Sequence, residues 1–424
     1  MANPISFALL PDNTTVDDDG MLVLAGVRAD NLAAEFGTPL FVYDEDHIRS
    51  RCQQAVRAFG DGVSYASKAF LCTAMARLVY EEGMHIDVAT MGEAYIALEA
   101  GVPAGHLVFH GNNKSEDELR YAVEKNIGRI VIDSFDEIDR LERILDGTGN
   151  EVQALLRVTP GIQASTHEYI ATGQDDSKFG FTVSTGQAEK AVSRTAPSSN
   201  INLVGIHAHI GSQVFSLNSF RQAAKVLADL SNLFELSELS VGGGLGVAYL
   251  EEEETLSIEE WGETIESVCS NAGVTARVTA EPGRSIVASA AVTLYTVGTI
   301  KKLEEIRTYV AVDGGMHDNP RPALYGSGYE TFLPSRMRAR REEVITLVGK
   351  HCESGDVLVS QGHVPEGLAV GDLIATPVTG AYGHSMGSNY NKVLKPAVVF
   401  VKEGIPRLVV RREALSDLMR TDVR

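Results

Sequence analysis

The stretch SYASKAF, residues 64–70, closes an apolar run, Val63-Ser64-Tyr65-Ala66, that reads as a short buried strand with a lysine at its C-terminal end. Lysine is rarely buried without a partner, because stripping water from its ammonium is costly. Lys68 is therefore either a strand-end lysine reaching for water or a lysine held for chemistry. Taken alone, the stretch favours the strand-end reading, and the rest of the chain has to decide.

Working outward, the same kind of run recurs. VSYASKA (63–69) is followed by HIDVAT (85–90), LVFHG (107–111), RIVIDS (129–134) and VQALLRVTP (152–160), then LVGIHAHIG (203–211), LSELSVGGG (236–244) and ARVTAEPG (276–283). The first five begin about 22 residues apart, which is room for one strand, one helix and two loops. Helical periods fill the gaps: Ala74, Leu78 and Val79 share a face, as do Ala94 and Leu98, and Ile138, Leu141 and Ile144. Ser115-Glu116-Asp117-Glu118 resembles a capping box opening the third helix. Continuous apolar strands alternating with helices argue for a parallel sheet. Eight such repeats predict a closed (β/α)₈ barrel, with a doubly wound open sheet as the competing arrangement.

After about residue 290 the grammar changes. AVTLYTVGTIKKL, RTYVAVDGG, EEVITLVG, DVLVS, DLIATPVTGAY, KPAVVFVKEG and RLVVRRE are strand-like and separated by turns, without long helical patterns. The N-terminal MLVLAGV and LFVYD are strand-like too. The reading is residues 1–44 as strands joining a β-sandwich, 45–290 as the barrel and 291–424 as the β-sandwich proper. The acidic EEEE run at 251–254 reads as a solvated loop rather than a metal site, and no metal is expected.

Composition sets limits. The chain of 424 residues is long enough for two domains and carries a net charge of −20. Such an acidic chain lacks the basic footprint of a nucleic-acid binder and would be repelled by anionic lipid. No apolar run approaches the roughly 18 residues of a membrane span, and the N-terminus lacks the basic and apolar regions of a signal peptide. The four cysteines are scattered without a CxxC pair, which suits reduced thiols in a cytoplasm.

In a (β/α)₈ barrel the working residues sit at the C-terminal ends of the strands. Those ends here carry Lys68, Asp87, His110, Arg157, His209, Gly242-Gly243-Gly244 and Glu281. A lysine, a carboxylate, a flat histidine and glycine turns on one rim suit pyridoxal 5′-phosphate. The lysine forms a Schiff base with the aldehyde, the carboxylate keeps the pyridine nitrogen protonated, and the turns let backbone N–H groups approach the phosphate. GGG alone is a weak signal; GGG followed by EPGR, with a lysine on the first strand, is a strong one.

Over nearly its whole length the chain resembles the diaminopimelate decarboxylases, of the alanine-racemase-like (fold type III) class of pyridoxal-phosphate enzymes. The motifs that carry the resemblance are LAAEFGTPLFVYD, YASKAF, HIDVATMGE, FHGNNKS, THEYIATG, SKFGF, GIHAHIGSQ, VGGGLGV, AEPGRSIV, VDGGMHDNPRPALYG, GKHCESGDVL and GAYGHSMGSNYN. The resemblance implies a β/α barrel plus a β-sandwich, and decarboxylation of meso-diaminopimelate to L-lysine. It makes Lys68 the Schiff-base lysine and puts His209 on the cofactor ring. Ser212, Gly244, Gly283, Arg284 and Tyr382 fall around the phosphate, and Glu281 on the pyridinium. Arg284, Arg321 and Tyr325 would hold the far carboxylate, and Tyr382 would contact the substrate as well as the phosphate. Cys352 would donate a proton and Glu353 would contact the substrate. In this family HCESGD reaches the site from the partner subunit, so a homodimer with shared sites is implied. One departure is Phe70, where the family often has Asn after the lysine motif's K-A.

Three rivals stay open at this level. One is a decarboxylase of another basic amino acid (ornithine, lysine or arginine) on the same fold. The others are a racemase of the same superfamily and a non-catalytic pyridoxal-phosphate homeostasis protein, a single-barrel chain without the β-domain. Arginines suit a distal carboxylate, whereas a diamine-forming enzyme would want an acidic distal pocket.

Overall fold

Eight parallel strands close into a ring in the computed structural model, which describes residues 3–162 and 173–423. They are Ser64–Ala66, His85–Val88, Leu107–Phe109, Arg129–Ile132, Val152–Thr159, Ile201–His207, Glu238–Ser240 and Arg277–Thr279, each paired with the next in sequence. The ring is shut by hydrogen bonds from Ser64 N to Ala280 O (2.9 Å) and from Ala66 N to Pro282 O (3.1 Å). The barrel is therefore closed and the open-sheet alternative is excluded. Most of the sequence motif THEYIATG, residues 166–172, lies outside the described residues.

The sequence makes this ring in a simple way. The strands are buried on both sides, by helices outside and by the barrel interior inside, and Val108, Val131 and Leu155, on three successive strands, pack with Val204 of a fourth. Hydroxyls at the strand-to-helix turns start the helices: Thr90, Ser115, Ser134 and Ser257 each accept a backbone N–H of the first turn. Ser115 with Glu118 forms the expected capping box, and Ser257 with Glu260 forms another. The helix Phe135–Leu145 buries Ile138, Leu141 and Ile144 as its period implies. In Met91–Glu99 the buried pair is Ala94 and Ala97, with Leu98 only partly covered.

The described residues divide into two compact units. The barrel unit holds 51–247 and 255–285; the other holds 1–50, 248–254 and 286–424. The second unit is built on the long strand Ala291–Leu303. Its first half pairs with Leu40–Asp44 and Leu373–Pro377, and its second half with Arg307–Val312. Leu40–Asp44 is buried at every residue and also pairs with Ala397–Lys402, so the N-terminal strand is internal to this sheet. A helix, Ala29–Phe36, precedes it where strands alone were expected. The short segment 248–254 belongs to this unit although it lies between the last two barrel strands in sequence.

One buried ion pair braces the barrel. Lys114 Nζ donates to Glu137 Oε1 (2.7 Å), Val131 O (2.6 Å) and Gly111 O (2.8 Å), and both side chains are 1 % exposed. Glu137 Oε2 accepts from Asp133 N (3.0 Å). All three ammonium protons are thus used, which is what an ammonium taken from water requires. Replacing Lys114 with Met should lower unfolding stability by about 3–5 kcal/mol, because it leaves Glu137 buried without its counter-ion. The double variant Lys114→Met/Glu137→Leu should recover much of the loss. Denaturant titration of the three proteins checks both statements.

Candidate active site

Glu281 is the centre of the barrel's polar interior. It follows the eighth strand and is 7 % exposed. Its Oε2 lies 2.9 Å from His207 Nε2, its Oε1 accepts from Ser240 Oγ (3.0 Å), and Oε1 is 3.3 Å from His110 Nε2. Strand register explains the meeting: His207 pairs with Ser240, and Ser240 with Thr279. The rings of His110 and His207 meet edge to face with centroids 4.8 Å apart. Burial by itself would raise the pKa of Glu281. His207 and His110 outweigh it and hold the carboxyl well below the usual carboxylate range. Burial pushes His207 down to about 4 and pushes Asp87 up to about 6, the latter opposed by His110 at 3.7 Å. His110 goes the other way: burial would lower it, but Asp87 and Glu281 raise it. The outcome is a buried carboxylate whose ionised form is favoured by two imidazoles and a hydroxyl.

Around this carboxylate the other expected barrel residues assemble. Lys68 lies on a single helical turn, Ser67–Ala69, directly after the first strand; it is exposed while Ser67 and Ala69 are buried. Its charge is felt by both Asp87 and His209. His209 Nδ1 accepts from Gly243 N (3.2 Å), which puts the proton of the neutral ring on Nε2. Burial, then the charges of Lys68 and Arg157, hold His209 well below the ordinary histidine pKa, so it stays neutral. Gly244 has φ +118°, and a Cβ there would stand 2.3 Å from Gly211 O, so only glycine lets these two turns touch. Beside that contact Arg284 Nη2 donates to Ser212 Oγ (3.0 Å). Ser212, Gly244 and Arg284, expected around a phosphate, are thereby neighbours.

Arg157 is fixed on two sides. It is 3.6 Å from Asp133 Oδ2 and stacks on Phe179, with the guanidinium carbon 4.1 Å from the ring centroid. Asp133 Oδ1 accepts from Gly180 N (2.8 Å), which ties the SKFGF motif to the fourth strand.

The remaining expected residues lie in the other unit. Arg321 and Tyr325 share the helix Arg321–Tyr325, the first buried and the second half-buried. Cys352 and Glu353 are exposed, and Tyr390 Oη donates to Glu353 Oε1. His351 beside them is pinned by His317 (3.0 Å), by Asn391 (2.8 Å) and through its backbone N–H by Asp356 Oδ2 (2.8 Å). Tyr382 has φ +60° and is half-buried.

His207, Ser240 and Asp133 are absent from the expectations above. The signal for His207 was available: it lies two residues before His209, so period-two alternation sends both side chains to one face. Ser240 stands in the same relation to Gly242.

The fit of these residues to pyridoxal phosphate rests on chemistry that the chain cannot use on itself. A buried, ionised carboxylate, a neutral flat imidazole, glycine-only turns and an accessible lysine on the first strand match the parts of that cofactor one by one. Fold and site together define a pyridoxal-phosphate enzyme of the barrel type. The family model described as "Pyridoxal-dependent decarboxylase, pyridoxal binding domain" matches residues 45–288. The diaminopimelate decarboxylase of Bacillus subtilis is 46% identical over 420 residues, covering 95% of each chain. That of Mycobacterium tuberculosis is 44% identical over 435 residues, covering 98% of this chain and 97% of its own. The crystal structure of the M. jannaschii diaminopimelate decarboxylase in complex with L-lysine superposes with a TM-score of 0.90 at 30% identity, over 97% of this chain and 98% of the other. The chain belongs to the diaminopimelate decarboxylase family.

The pKa of His207 gives a pH test that needs no turnover. Its folded value, about 4, lies below its ordinary 6.5, so between these values the unfolded chain binds more protons. The stability that His207 contributes is therefore full above about 6.5 and is lost as pH falls toward 4. From pH 7 to pH 5 that loss is about 2 kcal/mol. His207→Asn keeps an N–H for Glu281 but cannot titrate. Its unfolding midpoint, measured without cofactor at pH 7 and pH 5, should fall less than that of the wild type.

Proposed function

We propose that the chain removes one carboxylate of meso-2,6-diaminopimelate as carbon dioxide and releases L-lysine, using pyridoxal 5′-phosphate. The family supports the reaction, and Arg321 carries the substrate reading. Arg321 is 4 % exposed, and no carboxylate among the described residues pairs with it. Burial works against its charge, but the phenols of Tyr249 and Tyr329 outweigh that and raise its pKa above the ordinary arginine value. A buried cation without an acid is suited to an incoming carboxylate. The distal end of diaminopimelate brings one. Decarboxylating ornithine, lysine or arginine would bring a bare cation there instead, which Arg321 would repel.

Bound pyridoxal phosphate supplies an electron sink for the pair left on carbon when carbon dioxide departs. The chain supplies the rest. Lys68 is the amine that would hold the cofactor through its aldehyde. His209, neutral and held by Gly243, orients the ring face. Glu281, kept ionised by His207 and His110, holds the proton on the pyridine nitrogen. Ser212, Gly244, Gly283, Arg284 and Tyr382 bind the phosphate. Arg321, with Arg284 and Tyr325, holds the distal carboxylate and thereby turns the other carboxylate toward departure. Cys352 delivers the proton that replaces carbon dioxide, beside Glu353. The active form in this reading is a cytoplasmic homodimer in which the partner subunit's Cys352 completes each site. No helix among the described residues is long and apolar enough to cross a membrane.

Product analysis with meso-diaminopimelate, ornithine, lysine and arginine offered separately tests the substrate. L-lysine should form from the first, and the other three should be turned over at least about a hundredfold more slowly, the scale set by leaving a buried charge unpaired. A diamine as main product would overturn the reading.

The shared site makes a separate prediction. Lys68→Ala and Cys352→Ala should each be nearly inactive. After subunit exchange an equal mixture should recover about a quarter of wild-type activity, because half the dimers are mixed and each has one intact site. Mixtures that exchange fully yet stay inactive would show that Cys352 serves its own chain.

A further inference from the structure

Arg321 is held in an unusual way for a buried guanidinium. Its carbon stands 4.2 Å over the Tyr249 ring centroid and 5.5 Å from that of Tyr329. Nη1 donates to Tyr329 Oη at 2.5 Å, and the two tyrosine rings meet at 83° with centroids 5.2 Å apart. The pair makes a corner: one wall is a ring face, the other offers a single oxygen. Arg321 Nε, also buried, has no hydrogen-bond partner among the described residues.

The corner is itself braced. Tyr249 comes from the segment 248–254, which leaves the barrel's sequence to join the β unit. Glu253 Oε2 accepts from Tyr249 N (2.7 Å) and Leu250 N (3.2 Å), closing a tight turn. Arg341, buried, donates to Glu251 Oε1 (2.6 Å) on that turn and to Glu330 Oε2 (2.8 Å), next to Tyr329. One arginine thus ties together the two backbone stretches that carry the two tyrosines.

We propose that Tyr249 and Tyr329 are positioning residues for Arg321 that make the site selective for a ligand with a distal carboxylate. The proposal rests on the reading of Arg321 given above. A ring face attracts a guanidinium without neutralising it, and a phenol hydroxyl accepts one hydrogen bond without adding a charge. An aspartate in either place would fix the guanidinium equally well and cancel its charge. The tyrosines fix it and leave the charge, with Nε and the second terminal nitrogen available, for the ligand.

L-Lysine and 1,5-diaminopentane separate this role from a general structural one, because they differ only by the carboxylate. Tyr249→Leu removes the ring face, Tyr249→Phe keeps it, and Tyr329→Phe removes only the oxygen. In the holoenzyme, Tyr249→Leu should raise KM for meso-diaminopimelate and the inhibition constant of L-lysine about tenfold, the scale of a desolvated cation–π contact. Inhibition by 1,5-diaminopentane should stay within about twofold, and Tyr249→Phe should match wild type. Tyr329→Phe should weaken L-lysine about threefold and spare the diamine, and it supplies the test if Tyr249→Leu fails to fold. Unchanged L-lysine inhibition in the folded variants would overturn the proposal, as would equal weakening of both inhibitors. Arg321→Met distinguishes the two levels. If it leaves L-lysine inhibition intact, the reading of Arg321 fails; if it abolishes it while the tyrosine variants do not, only the tyrosine role fails.

Discussion

Closing the ring is the constraint on which the rest of the barrel depends. A parallel sheet left open would expose the edges of SYASKAF and of ARVTAEPG. Closure pairs them, through Ser64 with Ala280 and Ala66 with Pro282. The seam is tight: a Cβ on Gly283 would lie 2.9 Å from Ala66 Cβ and 3.0 Å from Ala66 O. Glycine at 283 is therefore a condition of closure as much as a feature of a phosphate turn. The seam also fixes chemistry, since it sets the turn bearing Lys68 against Glu281-Pro282-Gly283. The amine and the carboxylate stand on one rim because the first and eighth strands are neighbours.

A ring packed with apolar side chains is a poor place for charge, and the structure handles its buried ions in contrasting ways. Lys114 and Glu137 cancel each other and saturate their donors and acceptors, which makes them a brace. Glu281 is surrounded by groups that favour its ionised form, yet His207 sits at about 4 and contributes a neutral ring. The carboxylate therefore keeps its charge and can stabilise a cation that approaches it. Asp133 and Arg157 stand between these cases. They are paired at 3.6 Å, while Phe179 and Gly180 hold one partner each. Ions with partners already in place stabilise or orient; ions left with spare capacity are the ones positioned for a ligand.

The strands and most barrel helices are legible in the sequence because burial on both faces leaves continuous apolar runs at a regular spacing. The helix Ala29–Phe36 is not, since ADNLAAEF is short and sits among strand-like segments. Within the site, Lys68, His209, Glu281 and the glycine turns stand at strand ends, where chemistry is expected. Ser240 and His207 lie one step inside, at positions that look like ordinary strand interior until register places them around Glu281. The run 251–254 is the clearest loss. Four consecutive glutamates read as a solvated loop, and they are indeed exposed. Yet Glu251 and Glu253 have assigned partners, Arg341, Ser6 N and the Tyr249 turn, and every one of those contacts with residues 3–6 or 341 spans at least 90 positions. Local composition carries no trace of pairing at that range.

The same long-range frame suits an arginine at residue 321 better than a lysine. The Tyr249 ring offers a face at 4.2 Å, which a flat, weakly hydrated guanidinium can match and a tetrahedral ammonium cannot. Tyr329 takes one N–H at the guanidinium's edge. A planar ion held by one face and one edge has a defined remaining edge, and two parallel donors there fit the two oxygens of a carboxylate. A lysine in this corner would keep the charge but lose the plane, so the donors would no longer be aimed. In the proposed reading, selectivity for a carboxylate at this position comes from geometry imposed on a charge, and the geometry comes from two aromatic residues that the chain brings in from 249 and 329.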